Sequence, residues 1–237
     1  VSGYIGTELE VFEAAHNWKQ YVFSLVEEHI GGRVLEVGAG IGGTTRQLAR
    51  ARHREWLCLE PDPRLAGQIR KACASGALPQ SVRVQAGTTA DLDPNSEFDA
   101  VLYMDVLEHV ENDGEELARV CRRLAPGGAL IVLGPAMPWL YSAFDAAIGH
   151  FRRYTRASLS AAVPGNLRQV CLKYLDSVGV LLSFGNRALL RNAYPTQRQI
   201  QLWDRRIVPL SRRIDPALRF TIGKSILGVW RRPGLTE

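Results

Sequence analysis

Residues Val34 to Thr44, VLEVGAGIGGT, decide the fold. Val34, Leu35 and Val37 form a short apolar run with β preference. Gly38, Gly40, Gly42 and Gly43 then let the backbone turn tightly and approach a ligand closely before a helix begins near Thr44. That helix presents unpaired N–H groups to whatever occupies the turn. About twenty residues on, a second apolar run, Trp56-Leu57-Cys58-Leu59, ends in Glu60, where a carboxylate can accept both hydroxyls of a ribose. Strand, glycine turn, helix, strand and acid make one βαβ unit, the mark of a doubly wound α/β fold that binds an adenosine-containing cofactor at the carboxyl edge of its sheet.

The alternation continues outward from this unit. Apolar runs predict strands near Arg33 to Gly38, Glu55 to Glu60, Val82 to Ala86, Phe98 to Met104 and Ala129 to Leu133, with helices near Gly43 to Ala51, Pro63 to Ser75 and Asp113 to Leu124 between them. A mostly parallel sheet with helices on both faces follows. Ahead of it, one amphipathic helix is expected over Leu9 to His29, with Phe12, Trp18, Tyr21, Val22, Leu25 and Val26 on its apolar face, packing over the cofactor edge.

With 237 residues and 46% hydrophobic content, the chain is long enough for one well-buried domain with an elaboration. Its four cysteines are scattered without a C-x-x-C pair, which favours reduced, buried thiols over a disulfide or zinc framework and points to a cytoplasmic protein. No signal-peptide pattern is visible, and the longest apolar stretch, Val178 to Leu190, is interrupted by Asn186 and Arg187 and too short to span a bilayer. Charge is unevenly spread. Residues 1–149 hold 13 Lys+Arg against 20 Asp+Glu, net −7, whereas residues 150–237 hold 16 against 4, net +12. The basic third is either a set of solvated helical faces or a surface for an anionic partner: a phosphorylated lipid, the inner face of a membrane, or a nucleic acid.

The glycines alone leave the cofactor open, because Gly38, Gly40 and Gly43 also fit the G-x-G-x-x-G spacing of nicotinamide and flavin sites. Glu36, two residues before the first glycine, shifts the balance. Glu36-Val37-Gly38-Ala39-Gly40-Ile41-Gly42 resembles the first motif of the class I S-adenosylmethionine-dependent methyltransferases, E/D-x-G-x-G-x-G. Glu60-Pro61-Asp62 resembles their second motif. The run Phe98 to Val110 is similar to their fourth strand and following loop, and Leu124-Ala125-Pro126-Gly127-Gly128 to the turn before their fifth strand.

The resemblance implies a seven-stranded, Rossmann-like sheet whose last strand is antiparallel, with Arg168 to Leu175 and Ser225 to Arg231 as the closing strands. The chain then divides into an N-terminal helical cap (1–32), a cofactor-binding core (33–176), a basic helical insertion or lid (177–223) and a last strand and tail (224–237). Helix-like segments in the insertion are Val178 to Arg191, Arg198 to Val208 and Ser211 to Arg219. S-adenosyl-L-methionine is the implied cofactor. Glu36, Gly38, Ala39 and Gly40 would line its methionine part and Glu60 its ribose, with Pro61 and Asp62 nearby. Thr88 and Thr89 stand where relatives carry an acid for the adenine. Asp105 and Val106, after the fourth strand, would border cofactor or acceptor. Some relatives bind a divalent metal through E-x-x-E-H, here Asp105-x-x-Glu108-His109. The same letters occur in many metal-free relatives, and the first Glu is replaced by Asp, so no metal is expected and Glu108 takes a capping or packing role.

The segment from Pro135 to Thr155, PAMPWLYSAFDAAIGHFRRYT, is too long for a minimal connection and leaves the carboxyl edge of the sheet. Its aromatic side chains and paired arginines suit a pocket for an apolar body with an anionic group, with Trp139, Phe144, Arg152, Arg153 and Tyr154 as substrate-binding candidates. His150 is the leading candidate for a general base, with Tyr141 and Asp145 as second candidates. Similar loops ending in G-H-x-R-R-Y occur in bacterial methyltransferases of cell-envelope or secondary-metabolite pathways. The function expected is methyl transfer to oxygen or nitrogen of a small-molecule or lipid-like acceptor, with a homodimer as a further option. The alternatives are an RNA methyltransferase, which the missing N-P-P-Y or D-P-P-Y motif disfavours; a nicotinamide oxidoreductase, disfavoured by the missing Tyr-x-x-x-Lys pair; and a cofactor-binding module without turnover.

Overall fold

The computed structural model describes residues 8–189 and 196–234. Seven strands, β1 (Arg33–Val37), β2 (Glu55–Glu60), β3 (Val82–Ala86), β4 (Phe98–Met104), β5 (Leu124–Pro135), β6 (Arg168–Leu175) and β7 (Ser225–Arg231), form one sheet. Their order is 3-2-1-4-5-7-6. The first five are parallel, and β7 runs antiparallel to both β5 and β6. The central strands are almost continuously apolar because both faces are covered. On one face Val34, Trp56, Ala100, Leu102 and Ile131 pack with Trp18, Tyr21 and Val22 of the N-terminal helices. On the other, Leu35, Val37, Val101, Tyr103 and Val132 pack with Leu117, Val120 and Leu159. Alternate residues of each strand go to opposite faces.

The N-terminal region corrects the expectation of one helix. It is two, α1 (Glu8–Glu13) and α2 (His16–Val26), followed by a 3-10 turn at Glu27–His29. No local side chain caps α2; the backbone N–H groups of Asn17 and Trp18 instead donate to the carboxylate of Asp204, at 3.2 and 2.9 Å. An acid at a helix start satisfies orphan donors and complements the helix dipole. Here it comes from the far end of the chain. The helix after the glycine turn, α3 (Thr45–Leu48), is a single turn, shorter than expected, whereas α4 (Pro63–Ala74) is capped by Asp62 with Pro63 at its first position. After α5 (Asp113–Cys121), β5 starts five residues earlier than the apolar run suggests, with Leu124 paired to Phe98 ahead of a bulge. The long connection after β5 holds α6 (Ala143–Ala147), and α7 (Arg156–Ala162) leads into β6.

Between β6 and β7 lies the insertion: α8 (Ser177–Leu189), α9 (Gln197–Leu202), a π turn at Trp203–Ile207 and α10 (Val208–Ala217). Positions 190 and 191 of the expected first helix, like the first seven residues of the cap and the last three of the tail, lie outside the described residues. Pro209 has no N–H for the carbonyl of Arg205, and the wider turn falls just upstream of it. Among the described residues no helix is long and apolar enough to cross a membrane.

Buried carboxylates tie the insertion to the rest. Asp215 accepts from the Tyr21 hydroxyl (2.9 Å), the backbone N–H groups of Asp176 (2.8 Å) and Ser177 (3.0 Å), and the Ser177 hydroxyl. Asp176 accepts from Trp203 Nε1 (2.8 Å) and Ser211 Oγ (2.7 Å). Asp215→Ala strands four donors in a dry interior, at roughly 1–3 kcal/mol for each left unpaired. The variant is therefore expected to lose on the order of 3 kcal/mol or more of stability, read as a fall in the urea midpoint.

Candidate active site

The carboxyl ends of β1, β4 and β5 open into a cavity of about 900 Å³, lined from the sheet by Glu36, Gly38, Ala39, Gly40, Met104, Asp105 and Leu133. Leu9, Phe12, Trp18 and Lys19 of the N-terminal helices close one side. The connection after β5 closes another, and Ser183, Gln199, Ile200 and Trp203 of the insertion close the third. Small-molecule sites run to roughly 300–1,000 Å³, so this cavity has room for a nucleoside cofactor and a small acceptor together.

The glycine turn forms the floor. Gly38 has φ +67°, and a Cβ there would come within 2.7 Å of Val106 Cγ2, so both conformation and packing require glycine. Glu60 is the brace of the turn: one oxygen accepts the Gly40 N–H at 2.7 Å and the other the Asp62 N–H at 2.9 Å. Each oxygen keeps a further lone pair for a ligand hydroxyl. Glu36 is buried, and its Oε2 accepts from Thr45 Oγ1 (2.7 Å) and Trp56 Nε1 (2.9 Å), which fixes the start of α3 against β2. Burial pushes its carboxyl up to about 7, against the pull of those hydrogen bonds.

The connection after β5 brings to the same cavity a network centred on Asp145, itself fully buried. It accepts from His150 Nδ1 at 3.0 Å, from Arg153 Nε and Nη2 at 2.8 and 3.0 Å, and from the Ser142 N–H and hydroxyl, both at 2.8 Å. Burial alone would raise the Asp145 carboxyl; His150, Arg153 and Ser142 together reverse that and hold it well below the usual range. With Nδ1–H given to Asp145, the His150 imidazole keeps its lone pair on Nε2, the arrangement a general base needs. The Tyr141 hydroxyl donates to the His150 carbonyl at 2.6 Å and so fixes the same loop.

Between the two walls lie Asp105, Glu108 and His109. Asp105 holds φ +56°, an uncommon conformation for a non-glycine residue, and lines the cavity; its enclosure raises its carboxyl, while His150 and Lys224 pull it back. Burial and the neighbouring Asp105 push Glu108 well above the carboxylate range, and its Oε2 is buried without a hydrogen bond. Burial and His150 lower His109 to about 4, so it is neutral at neutral pH. One ligand atom from each of Glu108, His109 and His150 lies within 4.8 Å of the others, a group that could hold a metal ion.

The structure thus brings Glu36, Gly38, Ala39, Gly40, Asp105, Tyr141, Phe144, Asp145, His150 and Arg153 to one cavity, with Glu60 and Val106 just behind the glycine turn. Other sequence candidates sit elsewhere. Tyr154 is buried with its hydroxyl on Asp113 (2.9 Å), Arg152 pairs with the same Asp113 (2.8 Å), and Trp139 is 51% exposed. Thr89 is buried and donates to Glu116 (2.9 Å), Thr88 caps its own turn with Asp91, and Asp62, beside Pro61, caps α4. Sequence reasoning missed Lys224, which lines the cavity with its Nζ 5.2 Å from the Trp203 ring centre; burial lowers its pKa, opposed by Asp176. A usable signal existed. The start of an antiparallel last strand lies at the same edge as the ends of the parallel ones.

Fold and cavity define a Rossmann-like α/β protein whose first glycine turn opens into a cavity of nucleoside size. The sequence matches the family described as "Methyltransferase domain" over residues 34–128. It is 32% identical over 125 residues to a demethylmenaquinone methyltransferase of Tropheryma whipplei (strain Twist), covering 52% of this chain and 50% of that protein. It is 35% identical over 108 residues to a ubiquinone biosynthesis O-methyltransferase of Paramagnetospirillum magneticum, covering 46% and 42%. The chain spans about half the length, or less, of these curated relatives. In fold it is similar to the geranyl diphosphate C-methyltransferase of Streptomyces coelicolor A3(2), with a TM-score of 0.65 at 15% identity over 95% of this chain and 83% of that one. Residues 34–128 are thus similar in sequence, and the whole described chain similar in fold, to class I S-adenosylmethionine-dependent methyltransferases.

The raised carboxyl of Glu36 has a measurable consequence. Its folded value, about 7, lies above the ordinary 4.5, so the folded state holds this proton more tightly than the unfolded chain does. Glu36 therefore contributes stability that is fully present below pH 4.5 and lost as pH rises through about 7, in total on the order of 3 kcal/mol. Urea midpoints measured from pH 5 to pH 8 (roughly that window) should show this decline in the parent and a flatter profile in Glu36→Gln.

Proposed function

We propose that the protein is an S-adenosylmethionine-dependent methyltransferase acting on the hydroxyl oxygen of a small, largely apolar, lipid-like acceptor. The observation that carries this reading is the Asp145–His150 pair lining the same cavity as the glycine turn. In this reading Glu36, Gly38, Ala39 and Gly40 hold the amino-acid end of the cofactor and Glu60 its ribose, and Asp105 borders the reacting centre. When bound, the cofactor supplies an electrophilic methyl group on a sulfonium. Methyl transfer is then chiefly a matter of alignment, and the walls formed by α1, α2, the loop after β5 and the insertion hold the acceptor in line and exclude water.

A hydroxyl acceptor must lose its proton; in this reading His150 Nε2, 3.8 Å from Glu108 Oε1, takes it while Asp145 holds the ring and stabilises the imidazolium. Arg153 keeps Asp145 ionised and in register. Phe144, Ile148, Leu140 and Trp203 offer apolar walls. The similar methyltransferases, one of demethylmenaquinone and one an O-methyltransferase of ubiquinone biosynthesis, support an apolar, quinone-like acceptor.

The first test is calorimetric titration with S-adenosylmethionine, S-adenosylhomocysteine and NADH. The sulfur nucleotides should bind, and Glu60→Ala should weaken them at least about tenfold, the loss of one or more hydrogen bonds to a charged acceptor. Binding of NADH alone would overturn the reading. In turnover with hydroxylated quinols and aromatic lipids, His150→Ala is expected to lower kcat by about 100-fold or more at unchanged cofactor affinity. Full turnover in that variant would remove His150 from catalysis.

A further inference from the structure

The insertion segregates its charges. From Gln197 to Ala217 the buried residues Ile200, Asp204, Val208, Ser211 and Asp215 recur every three or four positions and mark the inward face. The outward face carries Leu202, Arg205, Arg206, Leu210, Arg212 and Arg213, all exposed. Both acids of this run are turned inward, where backbone and hydroxyl donors occupy them. Among the described residues none of these arginines pairs with a carboxylate. Leu202 is 63% exposed, and Leu181, at the start of the adjoining α8, is 73% exposed.

Arginines interspersed with outward leucines on one helical face match the boundary of an anionic bilayer, where guanidinium groups meet phosphates and apolar side chains enter the acyl edge. A surface for single-stranded nucleic acid would instead offer aromatic rings for stacking. No exposed position from 196 to 222 is aromatic. The same helices turn Ser183, Gln199, Ile200 and Trp203 into the cavity, so the outward face is the back of one cavity wall.

We propose that this face of the insertion docks on the anionic surface of a lipid bilayer, so that the cavity takes its apolar acceptor from the lipid phase. Docking stands on the charge and apolar pattern alone; the acceptor's route rests on the methyltransferase reading.

Cosedimentation of the full chain with vesicles of phosphatidylcholine, alone or with roughly one third phosphatidylglycerol, tests it. Binding is expected to the mixed vesicles and not to the neutral ones, and it should weaken as salt rises. Arg205→Gln with Arg206→Gln should reduce partitioning about thirtyfold. Leu202→Ser with Leu210→Ser should reduce it about tenfold while leaving the salt dependence in place. All variants should keep the parent's urea midpoint and its S-adenosylmethionine titration. Loss of cofactor binding in a chain that still sediments would sink the methyltransferase reading and leave the docking intact. The docking itself is overturned by equal binding to neutral vesicles, by no binding to anionic ones, by binding that ignores these arginines, or by a single-stranded RNA that binds through the same arginines and displaces the vesicles.

Discussion

A carboxylate can be buried only where enough N–H and O–H groups, or a cation, converge on it, and this constraint organises every wall of the cavity. Glu36 and Glu60 fix the glycine turn from below. Asp145 gathers His150, Arg153 and Ser142 and so folds a long connection into a defined wall. Asp204, Asp176 and Asp215 join the N-terminal helices to the insertion. Five of these six use neutral donors alone; Asp145, with Arg153 and His150, sits nearest the proposed chemistry. Apolar packing alone would bring the same elements together without fixing their register, because it is not directional.

The sheet was legible because its strands are short apolar runs punctuated by glycine and acid. β2, β3 and β4 begin and end at the residues the runs suggest, and β6 and β7 at those the family resemblance implies. The misses share a physical cause: distant partners. The break between α1 and α2 depends on Asp204, 187 positions from Asn17, and no local pattern around Ala15 signals it. The early start of β5 depends on pairing with Phe98 across a bulge.

Within the site, motif spacing located the residues attached to strand ends, since a strand end has one place in the sheet. It separated the loop residues less well. Arg152, Arg153 and Tyr154 are consecutive, yet Arg153 alone of the three lines the cavity; the other two serve Asp113. Thr89, in the place of an acid, satisfies Glu116. Lys224 gains its significance from the reversed direction of β7, which follows from the family resemblance and not from the residues around it.

That reversal has a further consequence. β6 and β7 form an antiparallel pair whose open end receives the whole insertion, so both of its attachment points, Leu175 and Ser225, sit side by side in register. The turn that would hold the cofactor lies on β1, with β4 and β5 between it and β7. An element hung from two adjacent anchors at the rim can be lengthened, shortened or exchanged over evolutionary time without disturbing the strand that carries the glycine turn. The architecture lets selectivity drift independently of the reaction.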